Sequence, residues 1–258
     1  MSRLRARCPD CRTLTAVAVG PDYQCHSCGR EFAAGLVRVP RAWGGGGEAM
    51  AEAAFAALPY PETAVIEAET LAEQTLTLAS ELPARPIVLG GCCCAHVGAI
   101  EALAAGGDRL AVVWLDAHGD LNTPASSPSG NAWGMPLRMV VDDGAVLPTN
   151  VALVGARSLD PPEREFIDHV GIRVGENEVG AALEGADAVY VAFDGDVVEP
   201  GELAVFMSEP GGLHLMDVER LFARLATETR VAGFGCTGLV SDPANESPLT
   251  RLAAALGL

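Results

Sequence analysis

Two short stretches carry hard ligand atoms at close spacing. Asp116-Ala-His118-Gly-Asp120 follows the apolar run LAVVWL, and Asp194-Gly-Asp196 closes the run AVYVAF. In an extended chain residues i and i+2 point to the same side. Each stretch therefore presents its ligands together at a strand end. Four carboxylates and an imidazole are more than one cation needs, and carboxylates can bridge two cations, so the set suits a two-metal hydrolytic centre. One such stretch could be solvated loop acids; two, each directly after an apolar strand, argue against that. A second set is made of thiols. Cys8-Pro-Asp-Cys11 and Cys25-His-Ser-Cys28 are two CxxC pairs in a short basic segment. Four thiolates at this spacing fit one tetrahedral Zn²⁺ in a zinc ribbon. Four closed ligands leave no position for substrate, so the role is structural and His26 is a spectator.

The elements that must position these groups follow from the apolar pattern. Strands are expected at 86–91, 110–116, 150–156, 188–194 and 231–235, with a weaker one at 171–174. Helices are expected at 48–58, 61–82, 95–106, 161–169, 176–184, 217–228 and 246–257. Strands that are apolar throughout, separated by helices, predict an α/β fold in which a parallel sheet is covered on both faces. In such sheets the site lies beyond the carboxyl ends of the strands, where both carboxylate stretches fall.

Composition narrows the chemistry further. The 258 residues carry a formal net charge of −17, and every basic residue is arginine. Without lysine there is no Schiff base and no P-loop amine. Residues 1–41 carry a net charge of +4 and residues 42–258 a net charge of −21. This split predicts two modules, a zinc ribbon over 1–41 and a hydrolase domain over 42–258, with the glycine run at 42–47 as a flexible join. The acidic body disfavours nucleic acid as a partner. No apolar run reaches the length of a membrane span, and the polar start lacks a signal peptide, so the expected location is the cytoplasm.

The stretches DAHGDLNTP (116–124) and FDGDVVEP (193–200) resemble the metal signatures of the ureohydrolases, the family of arginase, agmatinase and formimidoylglutamase. LGGCCCAHVGAI (89–100), SGNAWGMP (129–136), GARSLDPPE (155–163) and EPGGLHLMD (209–217) resemble further family segments in the same order. The resemblance covers roughly residues 84–250. It implies the three-layer α/β/α fold of the arginase type and two divalent metals, usually Mn²⁺. These activate a hydroxide that attacks a guanidinium or amidine carbon, so that urea or a related amide leaves. By the same resemblance Asp116 and Asp194 bridge the metals, Asp120 completes one of them, and His118 and Asp196 complete the other. Asn122, Ser129, Asp160 and Glu163 match positions that hold an amino-acid end, which favours an arginine-like substrate. The family's habit also implies a homo-oligomer, a trimer or hexamer.

Three positions depart from the family pattern. A histidine ligand is replaced by Cys93, which is either a softer ligand favouring Zn²⁺, Co²⁺ or Fe²⁺ or an inert buried thiol. Cys92 and Cys94 read as packing residues, and His96 reads as a helix residue. A proton-carrying histidine is replaced by Trp133, whose indole only donates and which otherwise shapes the pocket wall. A guanidinium-binding glutamate is replaced by the shorter Asp217, with Glu209 and His214 nearby. These departures keep open a rival reading, a catalytically divergent member with a binding or assembly role.

Overall fold

The N-terminal strands are short and antiparallel: β1 (Arg5–Ala6), β2 (Ala16–Val19), β3 (Asp22–Cys25) and β4 (Glu31–Phe32), in that spatial order. This computed structural model describes residues 5–258; the first four residues of the N-terminal module lie outside the described residues. Among the described residues the small sheet encloses Ala6, Cys8, Ala16, Tyr23, Cys25 and Phe32.

The chain then builds a second sheet from β5 (Gly35–Val39), β6 (Glu62–Val65), β7 (Pro86–Gly90), β8 (Leu110–Leu115), β9 (Val151–Val154), β10 (Arg173–Val174), β11 (Ala188–Asp194) and β12 (Val231–Thr237). Its order is β10-β9-β8-β11-β12-β7-β5-β6, and every pairing is parallel. The helices are α1 (Glu48–Ala51), α2 (Leu71–Glu81), α3 (Ala95–Ala105), α4 (Pro136–Asp142), α5 (Pro161–Val170), α6 (Val179–Leu183), α7 (Leu215–Glu228) and α8 (Glu246–Ala255). Leu110, Val112 and Trp114 of β8 pack with α3, α4 and α5 on one face. The alternate residues Ala111, Val113 and Leu115 pack with α6, α7 and α8 on the other. The period of two divides β11 in the same way, with Tyr190 on the first face and Val191 and Phe193 on the second. The result is the three-layer α/β/α arrangement. No helix among the described residues is long and apolar enough to cross a membrane.

Two expectations need correction. The helix expected over 61–82 is a strand, β6, followed by α2. Pro61 and the acids after it read as a helix start, but Glu62, Ala64 and Val65 are drawn into pairing with β5. The helix starts instead at Thr70, whose hydroxyl accepts from Glu73 N at 3.1 Å, while the Glu73 carboxylate accepts from Glu69 N. The glycine stretch at 42–47 is not a loose join either: Gly45 N donates to Asn131 Oδ1 at 3.0 Å and Ala132 N donates to Trp43 O at 2.9 Å. The break between the two sheets falls between Phe32 and Gly35, since β5 belongs to the large sheet. The small sheet is seated on the body by paired backbone bonds between Arg7 and Glu62 and by the Asp22–Arg85 ion pair at 3.6 Å.

Candidate metal centre

The four central strands β8, β11, β12 and β7 end side by side, and each delivers a polar group there. Asp116 follows β8, Asp194 is the last residue of β11, Thr237 is the last of β12, and Cys93 stands in the turn between β7 and α3. The strands are held by their buried apolar residues, so these chain ends are fixed relative to one another.

The side chains converge at hydrogen-bonding distance. Cys93 Sγ lies 3.0 Å from Asp194 Oδ2, 3.1 Å from Thr237 Oγ1 and 3.8 Å from Asp116 Oδ2. Trp114 Nε1 donates to Asp116 Oδ2 at 3.2 Å. His118 Nδ1 lies 3.0 Å from Asp196 Oδ2 and 3.4 Å from Asp116 Oδ1. Ala117 N donates to Asp196, and Asp196 N donates to Asp194. The loops after β8 and β11 are thereby laced together. Two ligand groups emerge that share Asp116: Cys93, Asp116 and Asp120 on one side, and Asp116, His118 and Asp196 on the other.

Four buried carboxylates this close repel, and their acidities record it. Burial, then the charge of Asp196, pushes Asp194 up to about 7. Burial, then the charge of Asp116, pushes Asp120 well above the usual carboxylate range. Burial disfavours the His118 imidazolium, but Asp116 and Asp196 outweigh it and push that group up to about 12. A divalent cation among these groups would offset both the burial cost and the repulsion. Asp120 adds a more direct sign. Its backbone adopts φ 53°, uncommon for a residue with a side chain, and its buried Oδ2 has no hydrogen-bond partner. An orphaned carboxylate oxygen among five other donors fits a cation ligand.

A cavity of about 190 Å³ opens onto these groups. Asn122, Ser129, Asp160, Glu163 and Trp133 line it. Asn122 Nδ2 donates to Asp160 at 2.8 Å. Both oxygens of Glu163 are occupied, accepting from Leu121 N at 2.9 Å and Asp160 N at 2.8 Å, so Glu163 braces the loop after the first stretch.

Asp217 is not brought to this site. It lies on α7, pairs with Arg220 and lines a separate surface groove. Its place in the first turn of α7 turns it toward Arg220 and away from the strand ends. Glu209 is the acid that approaches, with Oε1 3.8 Å from His118 Nε2. Asp217→Asn is therefore expected to change kcat/KM by no more than about twofold, as for ordinary surface substitutions; a loss of two orders of magnitude would return Asp217 to the site. His96 is fully buried under the site, with Nδ1 3.0 Å from Tyr190 Oη and Nε2 3.3 Å from Thr237 Oγ1. Burial lowers its pKa to about 3, so it stays neutral and supports Thr237 rather than facing the cavity. Thr237 is the residue missed in the sequence. Extending the last apolar run two residues to its polar end, Cys236-Thr237, would have found it.

The ribbon cysteines also converge. Cys8, Cys11, Cys25 and Cys28 place their sulfurs within 4.8 Å of one another. A hydrogen bond from Thr15 lowers the Cys25 thiol to about 6.

Comparison with known proteins gives a consistent result. The arginase family model matches residues 48–256. The arginase of Staphylococcus aureus is 37% identical over 142 residues, covering 45% of this chain and 47% of that protein. The match thus spans about half the length of the curated relatives. A solved structure of the arginase of Bacillus subtilis superposes with a TM-score of 0.75 at 23% identity, covering 86% of this chain and 97% of that one. The formimidoylglutamase of Bacillus subtilis gives 0.69 at 15% identity, covering 87% of each chain. These structural likenesses bear on the fold.

Proposed function

The chain belongs to the arginase family, and on that premise we propose that it hydrolyses a guanidino compound at a centre of two divalent metals, releasing urea and an amine. The observation that carries this reading is the convergence of Cys93, Asp116, His118, Asp120 and Asp196, with Asp194 bonded to Cys93 and Asp196, at the ends of adjacent strands, and with Asp120 Oδ2 left unpartnered. When bound, two divalent cations supply Lewis acidity and make water nucleophilic near neutral pH.

The residues divide the remaining work. Asp116, common to both ligand groups, would be shared by both cations, and Asp194, which accepts from Cys93 and from Asp196 N, is given the same part by the family resemblance. Cys93 and Asp120 would complete one position, and His118 and Asp196 the other. A thiolate in the set shifts preference from Mn²⁺ toward Zn²⁺, Co²⁺ or Fe²⁺. Trp114 and the backbone N–H of His118 hold Asp116 in place. Asn122, Ser129 and Asp160, on the same cavity, would hold an amino-acid end, which supports an arginine-like substrate. Trp133 cannot cycle a proton; its part here is that of a wall. The ribbon is proposed to hold one structural zinc, and the assembly to be a homo-oligomer.

Protein loaded in turn with Mn, Zn, Co and Fe is expected to release urea or ammonia from at least one member of a guanidino panel. Absence of release with every metal and every compound would sink the reading.

A further inference from the structure

We propose that Trp133, backed by the glycine tract Gly44–Gly47, forms a specificity-determining wall of the cavity that holds the carbon chain of a guanidine; the inference rests on the guanidino reading above. Trp133 lines the cavity together with Met50, Phe206 and Met207, and Asp116, Asp120, Asp194 and Asp196 line it too. The indole meets Phe206 edge to face, with centroids 5.9 Å apart.

The tract is shaped to the indole. A Cβ at Gly44 would overlap three carbons of the six-membered ring. One at Gly47 would lie 3.2 Å from the same ring and 2.7 Å from the Ala42 Cβ. Gly47 has φ −68°, a conformation open to any residue, and Gly44 is not in the left-handed region. Backbone freedom therefore does not explain these two glycines; the space taken by the ring does. The tract is also tied at both ends of the contact. Gly45 N and Ala132 N make the bonds to Asn131 and Trp43 described above, Trp43 Nε1 donates to Gln74 Oε1 at 2.9 Å, and Trp43 N donates to Cys92 Sγ at 3.4 Å. Tryptophan and tract thus brace one another, and the indole is held in place as an apolar part of the cavity lining. A ligand whose cationic end lies on the carboxylate side then presents its methylenes to indole, phenyl and thioether, a wall that rewards an unbranched alkyl segment.

The test uses the full-length, metal-loaded protein, with methylguanidine, n-butylguanidine and L-arginine as probes and calorimetric Kd as readout. Three added methylenes, about half buried, predict that n-butylguanidine binds roughly tenfold tighter than methylguanidine. In Trp133→Ala the two are expected to bind within about twofold, the near-equality left when the wall is absent. Gly44→Ala should erode the preference and lower Tm in the wild-type background, yet change neither in the Trp133→Ala background. L-Arginine affinity should fall in both single variants. If the metal-loaded wild type binds none of the three, the guanidino reading fails. If guanidines bind but chain-length preference survives Trp133→Ala, or the two substitutions are additive in Tm and Kd, the wall alone is overturned.

Discussion

Asp194→Asn is expected to empty the core metal centre and to lower kcat/KM on a guanidino substrate by more than the roughly 10–100-fold that loss of an outer partner costs. Asp194 ends the central strand β11 and accepts from Cys93, Thr237 and Asp196 N at once. Gly238 closes over it so tightly that a Cβ there would overlap its carboxylate. Asparagine keeps the shape and removes the charge, so the fold should stand while the shared ligand is lost. The sign of the stability change then separates a metal centre from a structural cluster. In the metal-free protein Asp194 is one of four buried carboxylates, a costly arrangement. The substitution should raise the Tm of the metal-free form and remove the gain in Tm that metal gives the wild type. Metal content per chain and melting with and without chelator measure both. A variant that keeps two core metals, or that melts lower than wild type without metal, would contradict the role given to Asp194.

Cys25→Ser is expected to unfold residues 5–32 while leaving the core centre loaded. The small sheet has six buried apolar residues, two of them cysteines, far too few to offset the ordering of its backbone. A structural Zn²⁺ site contributes about 10–16 kcal/mol, so the metal supplies the folding free energy of such a module. Cys25 carries a thiol lowered to about 6 and lies at the end of β3, so its loss removes a ligand and a strand anchor together. Zinc should fall by one per chain, and amide hydrogens of residues 5–32 should exchange freely while those of β8 and β11 stay protected. Protection over 5–32 in the metal-free variant would show that packing alone holds the ribbon.

The sheet and the acids of the site were legible because both rest on local pattern. Wholly apolar runs such as Leu110–Leu115 occur where both faces are covered, and Asp116 and Asp194 stand at their ends by sequence alone. The elements that were misread depend on partners distant in sequence. β5 and β6 have ordinary compositions and become strands because β7 offers an edge to β5, and β5 to β6. Asp217 matched by motif, but the turn of α7 decides where its carboxylate points. The support from Thr237 and His96 and the fit of Gly44 to Trp133 are juxtapositions across 89 to 144 residues that no spacing rule carries.

The seat of the ribbon on β6 has a consequence for solubility. A parallel sheet of eight strands ends in two rows of unpaired peptide groups, each a template for adding a strand from another molecule. On one side the outer strand, β10, has only two residues. On the other, Glu62 spends both backbone groups on Arg7 in the reverse direction, which interrupts the row where β6 begins. With the module unfolded that interruption would be lost, so a metal-stripped preparation is expected to scatter more light than the zinc-loaded protein.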